Sequence, residues 1–193
     1  MNRAVPTSLL PDAPIGIRRA DDTWNAVATP DDWGHQVLKT LGHHSGAAMK
    51  DPTLGHLVWF IPPGGADSWP DAHQMSVFVY RAGDVLTVPG FRGWHDGSRW
   101  IHRPSARRTF TDPGALRMAV EHVAGPLADA EALGPVWVCC RCGRLTRDPV
   151  PVDSWESVSN GRRRTSWACQ PCWSGTSQGG DGRHLHLVCE APQ

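Results

Sequence analysis

Cys139-Cys140-Arg141-Cys142-Gly143 and, further on, Cys169-Gln170-Pro171-Cys172 decide how this chain is read. Two Cys-x-x-Cys pairs stand 26 residues apart, from Cys142 to Cys169. Each such pair forms a tight knuckle that aims two thiolates at one point. Two knuckles together close a four-thiolate shell, the donor set of a tetrahedral Zn2+ site. Gly143 suits the positive backbone angle that a knuckle needs after its second cysteine. Cys139, Cys142, Cys169 and Cys172 are therefore the expected ligands. Cys140 competes with Cys139, because Cys140-x-Cys142 is a second pairing, although the two-residue spacing favours Cys139. His184, His186 and Cys189 are spare donors further along, and Cys189 also reads as a small apolar strand residue.

The segment between the knuckles reads as a hairpin. Asp153 to Ser159 alternates loosely, Asn160-Gly161 is a strong two-residue turn signal, and Arg162 to Ala168 returns straight into Cys169. A third strand is predicted over Arg183–Cys189. Knuckle, hairpin, knuckle and closing strand resembles the zinc-ribbon class, over residues 136–189. The resemblance implies an all-β module that metal holds together, and by itself no function. A module of roughly 55 residues buries too little apolar surface to stand alone. Zinc contributes on the order of 10 kcal/mol of folding free energy in such small domains.

The whole chain has 193 residues, room for one medium domain beside that small one. Its 19 basic and 19 acidic side chains cancel, so no global field draws it toward nucleic acid. Residues 1–134 carry 12 basic and 14 acidic groups, and residues 135–193 carry 7 and 5. The sequence shows neither a membrane-length apolar run nor a secretory leader pattern. With cysteines arranged for metal, a reducing cytoplasm is the expected setting.

Upstream of the cysteines the expected class is α+β: a small mixed helix and sheet domain followed by the all-β four-cysteine ribbon. Residues 1–29, with Pro6, Pro11 and Pro14, read as an arm with a short helical piece near Trp24. Thr29-Pro30-Asp31-Asp32 reads as the start of a helix that buries Trp33, Val37, Leu38 and Leu41 and stops at Gly42. Strands are predicted at Gly55–Ile61, Met75–Tyr80, Asp84–Pro89 and Arg99–His102. Thr111-Asp112-Pro113-Gly114 caps a second helix that buries Leu116, Val120 and Val123. The domain then spans 30–125, a linker 126–135 and the ribbon 136–193.

Trp59-Phe60-Ile61-Pro62-Pro63-Gly64, Trp69, Asp84-Val85-Leu86-Thr87-Val88-Pro89 and Thr111-Asp112-Pro113-Gly114-Ala115-Leu116 carry a resemblance. They are similar to pieces of actinobacterial proteins grouped with the bifunctional primase-polymerase N-terminal domain, over roughly residues 33–123. The resemblance implies a replication-related scaffold. Polymerising members need paired carboxylates on a strand, usually Asp-x-Asp, to hold two metals, and this chain has no Asp-x-Asp. No catalytic residue carries over, and the expectation is a shortened, non-polymerising relative.

Other enzymatic signatures are thin. The sequence lacks G-x-S-x-G, a Walker loop and a dinucleotide fingerprint, and its only His-x-His is His184-x-His186. Arg162-Arg163-Arg164 beside Trp167 supplies the basic and aromatic pattern that contacts phosphates and stacks on bases. The same arginines also serve plain solvation of a small module. The leading expectation is a non-catalytic zinc-ribbon protein that binds DNA or a replication or transcription complex, with no membrane and no small-molecule substrate. A protein-binding adaptor with a purely structural zinc is the second reading. A small metal-dependent enzyme using the scattered histidines is the third.

Overall fold

The structure is a computed structural model that describes residues 5–51, 54–90, 94–95, 98–156 and 163–174. The chain divides into two compact units, Met1–Gly134 and Pro135–Gln193. Both helix and sheet are present, as the α+β reading requires at its coarser level.

In the first unit the strands are β1 (Ile15–Arg19), β2 (Asn25–Pro30), β3 (Ala48–Asp51), β4 (His56–Ile61), β5 (Phe78–Tyr80), β6 (Val85–Pro89), β7 (Trp94–His95) and β8 (Ser98–His102). The helices are α1 (Asp31–Leu41), α2 (Pro113–Ala124) and the single turn α3 (Ala130–Leu133). Among the described residues, six strands form an antiparallel sheet in the order β5-β2-β4-β3-β8-β7, while β1 and β6 pair as a separate ribbon. Cross-strand partners share a sheet face. Ala26, Ala28, Met49, Val58, Phe60 and Trp100 therefore point to one side, where Leu86 and Val88 of β6, Trp24 and Leu9 complete a core cluster. Val27, Leu57, Trp59 and Ile61 point to the other side and are fully buried. There α1 lies so close that a Cβ on Gly34 would meet Thr29 Oγ1 at 2.8 Å and Leu57 Cβ at 3.1 Å. Helix α2 packs against α1.

Five expectations change here. The segment 1–29 is not an arm: it contains β1 and most of β2, and β2 lies inside the sheet between β5 and β4. Asn25 to Thr29 is buried on both faces, so it lacks the polar-apolar alternation that marks a half-exposed strand. Trp24 is buried just ahead of a strand, not in a helix. Thr29 does not cap α1, because its hydroxyl is buried without a partner and Pro30 occupies the cap position. The stretch 126–135 is more than a linker, since it contains a 3-10 turn at Leu127–Asp129 and then α3, with Leu127 and Ala130 buried. The strand expected from Met75 begins only at Phe78, because His73–Met75 is a 3-10 turn closed by Ser76 in the left-handed region.

The second helix follows its expected start. Asp112 caps it, its side chain accepting the Ala115 N–H at 2.8 Å. Leu116 and Val120 are buried; Ala119 and Ala124 complete the face and leave Val123 half-buried.

The second unit contains β9 (Trp137–Val138) paired with β10 (Leu145–Thr146), and β11 (Pro149–Glu156) paired with β12 (Arg163–Cys169). A bulge at Val152 interrupts the longer ladder. The one-turn helix α4 (Gln170–Trp173) follows β12 directly. The buried cluster of this unit is Cys139, Ala168 and Cys172, with Val152 and Cys169 against it. The Asn160-Gly161 turn, Arg162 and the strand expected over Arg183–Cys189 lie outside the described residues.

Candidate metal centre

Strand β9 delivers the first knuckle. The Cys139 N–H donates to the Arg144 carbonyl at 2.9 Å, and the Gly143 N–H donates back to the Cys139 carbonyl at 2.8 Å. Gly143 closes the turn at φ 70°, where a side chain would be strained. The Cys140 N–H donates to the Trp167 carbonyl at 2.8 Å, which ties this knuckle to β12. That strand ends on Cys169, and Pro171 starts a helical turn that brings Cys172 round three residues later to the same side.

The Sγ atoms of Cys139, Cys142, Cys169 and Cys172 all lie within 4.8 Å of one another, an arrangement positioned to hold a metal ion. Cys139, the residue that the two-residue spacing favours, is in this group and Cys140 is not. His184, His186 and Cys189 lie outside the described residues. Among the described residues no other set of three or more His, Cys, Asp or Glu side chains converges in this way.

The electrostatics suit a cation. Burial pushes the Cys139 thiol up, but N–H groups of Cys169, Cys142 and Arg141 outweigh it and hold the thiol down at about 6. Burial and the neighbouring thiols of Cys169, Cys142 and Cys139 push Cys172 up to about 12. One negative charge is welcome in this pocket and further ones repel, unless a cation joins them.

Arg141 is a contributor that spacing did not single out. Its guanidinium donates to the Cys172 carbonyl at 2.7 Å and lies 5.9 Å from the centre of the Trp173 ring. One side chain from inside the first knuckle thus grips the second. Its position within Cys-x-x-Cys was the available signal.

The expected nucleic-acid residues are placed less completely. Arg163 is exposed on β12, opposite Glu156; Arg164 is opposite Trp155. Trp167 is half-buried against Trp137, with ring centres 5.9 Å apart, so it props the fold and offers only part of a face.

The histidines of the first unit are dispersed. His35 bonds the Asp31 carbonyl, His56 the Leu54 carbonyl, His73 the Asp71 carboxylate and His102 the Ser45 hydroxyl. The His43 and His44 rings lie 4.0 Å apart, centre to centre, tilted by 39°.

No family model, curated protein or solved structure matches this chain. No helix among the described residues is long and apolar enough to cross a membrane.

Proposed function

We propose that the four cysteines hold a structural zinc, that the second unit is a zinc ribbon, and that the protein is a non-catalytic DNA-binding component of a replication or transcription complex. The four converging thiols carry this reading. A tetrahedron with Zn–S arms of about 2.3 Å has edges of about 3.8 Å, and Cys142 Sγ lies 3.8 Å from Cys169 Sγ. Bound zinc would neutralise the thiolates and lock both knuckles, and a closed four-sulfur shell leaves no position for a substrate. Arg163 and the exposed ring of Trp155 then supply a phosphate contact and a stacking surface on opposite faces of the hairpin, at its end away from Cys169.

The first unit fits this reading as a primase-polymerase-like scaffold without catalytic acids. Two of the strings behind that resemblance meet in space: the Thr111 N–H donates to the Phe60 carbonyl at 2.8 Å. The strand end before Pro62-Pro63 and the Thr-Asp-Pro cap therefore support one another.

A protein-binding adaptor is the second reading. Glu156 opposite Arg163 offsets charge on the hairpin, and Trp173, 49% exposed, offers apolar area. Salt-dependent binding separates the two. Fluorescence anisotropy of labelled single- and double-stranded DNA is measured against the zinc-loaded chain across a salt series. The DNA reading expects affinity that falls with salt, and a shallower slope when Arg162, Arg163 and Arg164 become Ala. Absence of binding at low salt discards it in favour of the adaptor.

A further inference from the structure

The first unit has a concentrated cationic feature of its own. Between Ser98 and Thr111 the sequence has Arg99, Arg103, Arg107 and Arg108 and no acidic residue; between Trp33 and Lys50 it again has none. These two segments run side by side. The Ala47 N–H donates to the Thr109 carbonyl at 3.2 Å, the Gly46 N–H to Thr111 Oγ1 at 2.9 Å, and His102 Nδ1 lies 3.1 Å from Ser45 Oγ. The approach is tight enough that a Cβ on Gly46 would sit 2.2 Å from the Phe110 carbonyl carbon.

The arginines sit on an ordered turn. The Arg108 N–H donates to the Ser105 carbonyl at 2.9 Å, and Thr109 Oγ1 donates to the same carbonyl at 2.7 Å. Arg103, Arg107 and Arg108 are all exposed, and among the described residues none of their guanidinium groups has an ion-pair or hydrogen-bond partner. By contrast Arg117, Arg141, Arg18, Arg19 and Arg81 each spend their guanidinium on a neighbour within their own unit. Beside the turn, following α1, His43 and His44 present two exposed flat rings.

We propose that the Arg103–Arg108 turn, with His43 and His44, is a docking surface for a nucleic-acid strand, separate from the cysteine unit. Guanidinium forks match phosphate oxygens in a bidentate way, and flat rings beside them stack on bases. An acidic peptide would satisfy the arginines but has no use for the stacking surface, so the pair of features favours a nucleotide chain. The turn is held by backbone bonds that the arginine side chains do not share, so these groups are held ready at little ordering cost.

The test uses the full zinc-loaded chain and a labelled single-stranded oligonucleotide, with a duplex and a labelled poly-glutamate as parallel probes. The triple variant Arg103→Ala, Arg107→Ala, Arg108→Ala should weaken single-strand binding at low salt by about tenfold or more. It should also flatten the log–log salt slope by about 2, near 0.7 for each phosphate that is no longer neutralised. His43→Ala with His44→Ala should lower affinity by about fivefold or more with the slope unchanged. Unchanged thermal unfolding of both variants confirms that the fold is intact. Parental affinity and slope in the triple variant overturn the proposal, as does poly-glutamate binding as tight as the oligonucleotide. A weakening confined to the Arg162, Arg163 and Arg164 variant overturns it while leaving the ribbon reading standing. A parent that binds no oligonucleotide overturns both.

Discussion

The two units solve the problem of staying folded in opposite ways. The first surrounds its sheet with apolar side chains on both faces, including the fully buried Trp24, Trp33, Trp59 and Phe60. The second has a buried cluster of Cys139, Ala168 and Cys172, two of which are thiols poised toward one another. The first gains its stability from area removed from water, on the order of 25 cal/mol per Å². Among its described residues the second shows no comparable apolar cluster, and under the proposed reading it depends on what its cysteines hold. One chain thus contains a unit that a chelator should leave alone and a unit that a chelator should unfold.

The largest effect expected is the loss of the second unit. Removing metal, or changing Cys172→Ser, should remove on the order of 10 kcal/mol from that unit. Amide exchange followed by mass spectrometry should show protection vanish over residues 135–174 while β2 and β4 keep theirs. Equal loss in both units would break the comparison.

The reciprocal experiment is a cavity in the first unit. Trp59→Ala should destabilise it by about 3–5 kcal/mol, because a fully buried ring is replaced by space. Denaturant unfolding should shift to lower midpoint for this unit, with zinc content unchanged. Smaller still is the helix start. Asp112→Ala should cost about 0.5–2 kcal/mol through the missing cap, and Asp112→Asn should keep most of it, both read from the same unfolding curves.

The smallest effect concerns pH. Burial first and the Arg108 charge second hold the His102 imidazole below the ordinary histidine range, against a Gly46 backbone hydrogen bond. A histidine with a lowered folded value binds its proton more readily when unfolded. Its contribution is therefore complete above the unfolded value near 6.5 and lost as pH falls through the lower folded value. His102→Gln should flatten the fall in the first unit's thermal stability as pH drops below the unfolded histidine value near 6.5.

Much of this comparison was legible in the residues. The four thiols were identifiable because knuckle geometry is local: two residues between cysteines and a glycine after them fix where the sulfurs point. The α2 start was legible for the same reason, since a Thr-Asp-Pro cap acts within one turn. β2 was not, because a strand buried on both faces shows no alternation, and its small residues Ala26 and Ala28 carry no strong strand preference. Thr29 looked like a cap because a polar residue before Pro30 usually is one; its place in β2 opposite Leu57, a tertiary pairing, overrides that signal. Arg141 escaped because its partner, the Cys172 carbonyl, is 31 residues away in sequence.

X-ray absorption at the zinc edge of the purified full chain, with metal content measured on the same sample, tests the central claim most directly. One zinc per chain with four sulfur neighbours at about 2.3 Å is the expected result. A nitrogen neighbour at about 2.0–2.1 Å would place His184 or His186 in the shell. That result, or a chain that folds its second unit with no metal at all, would contradict it.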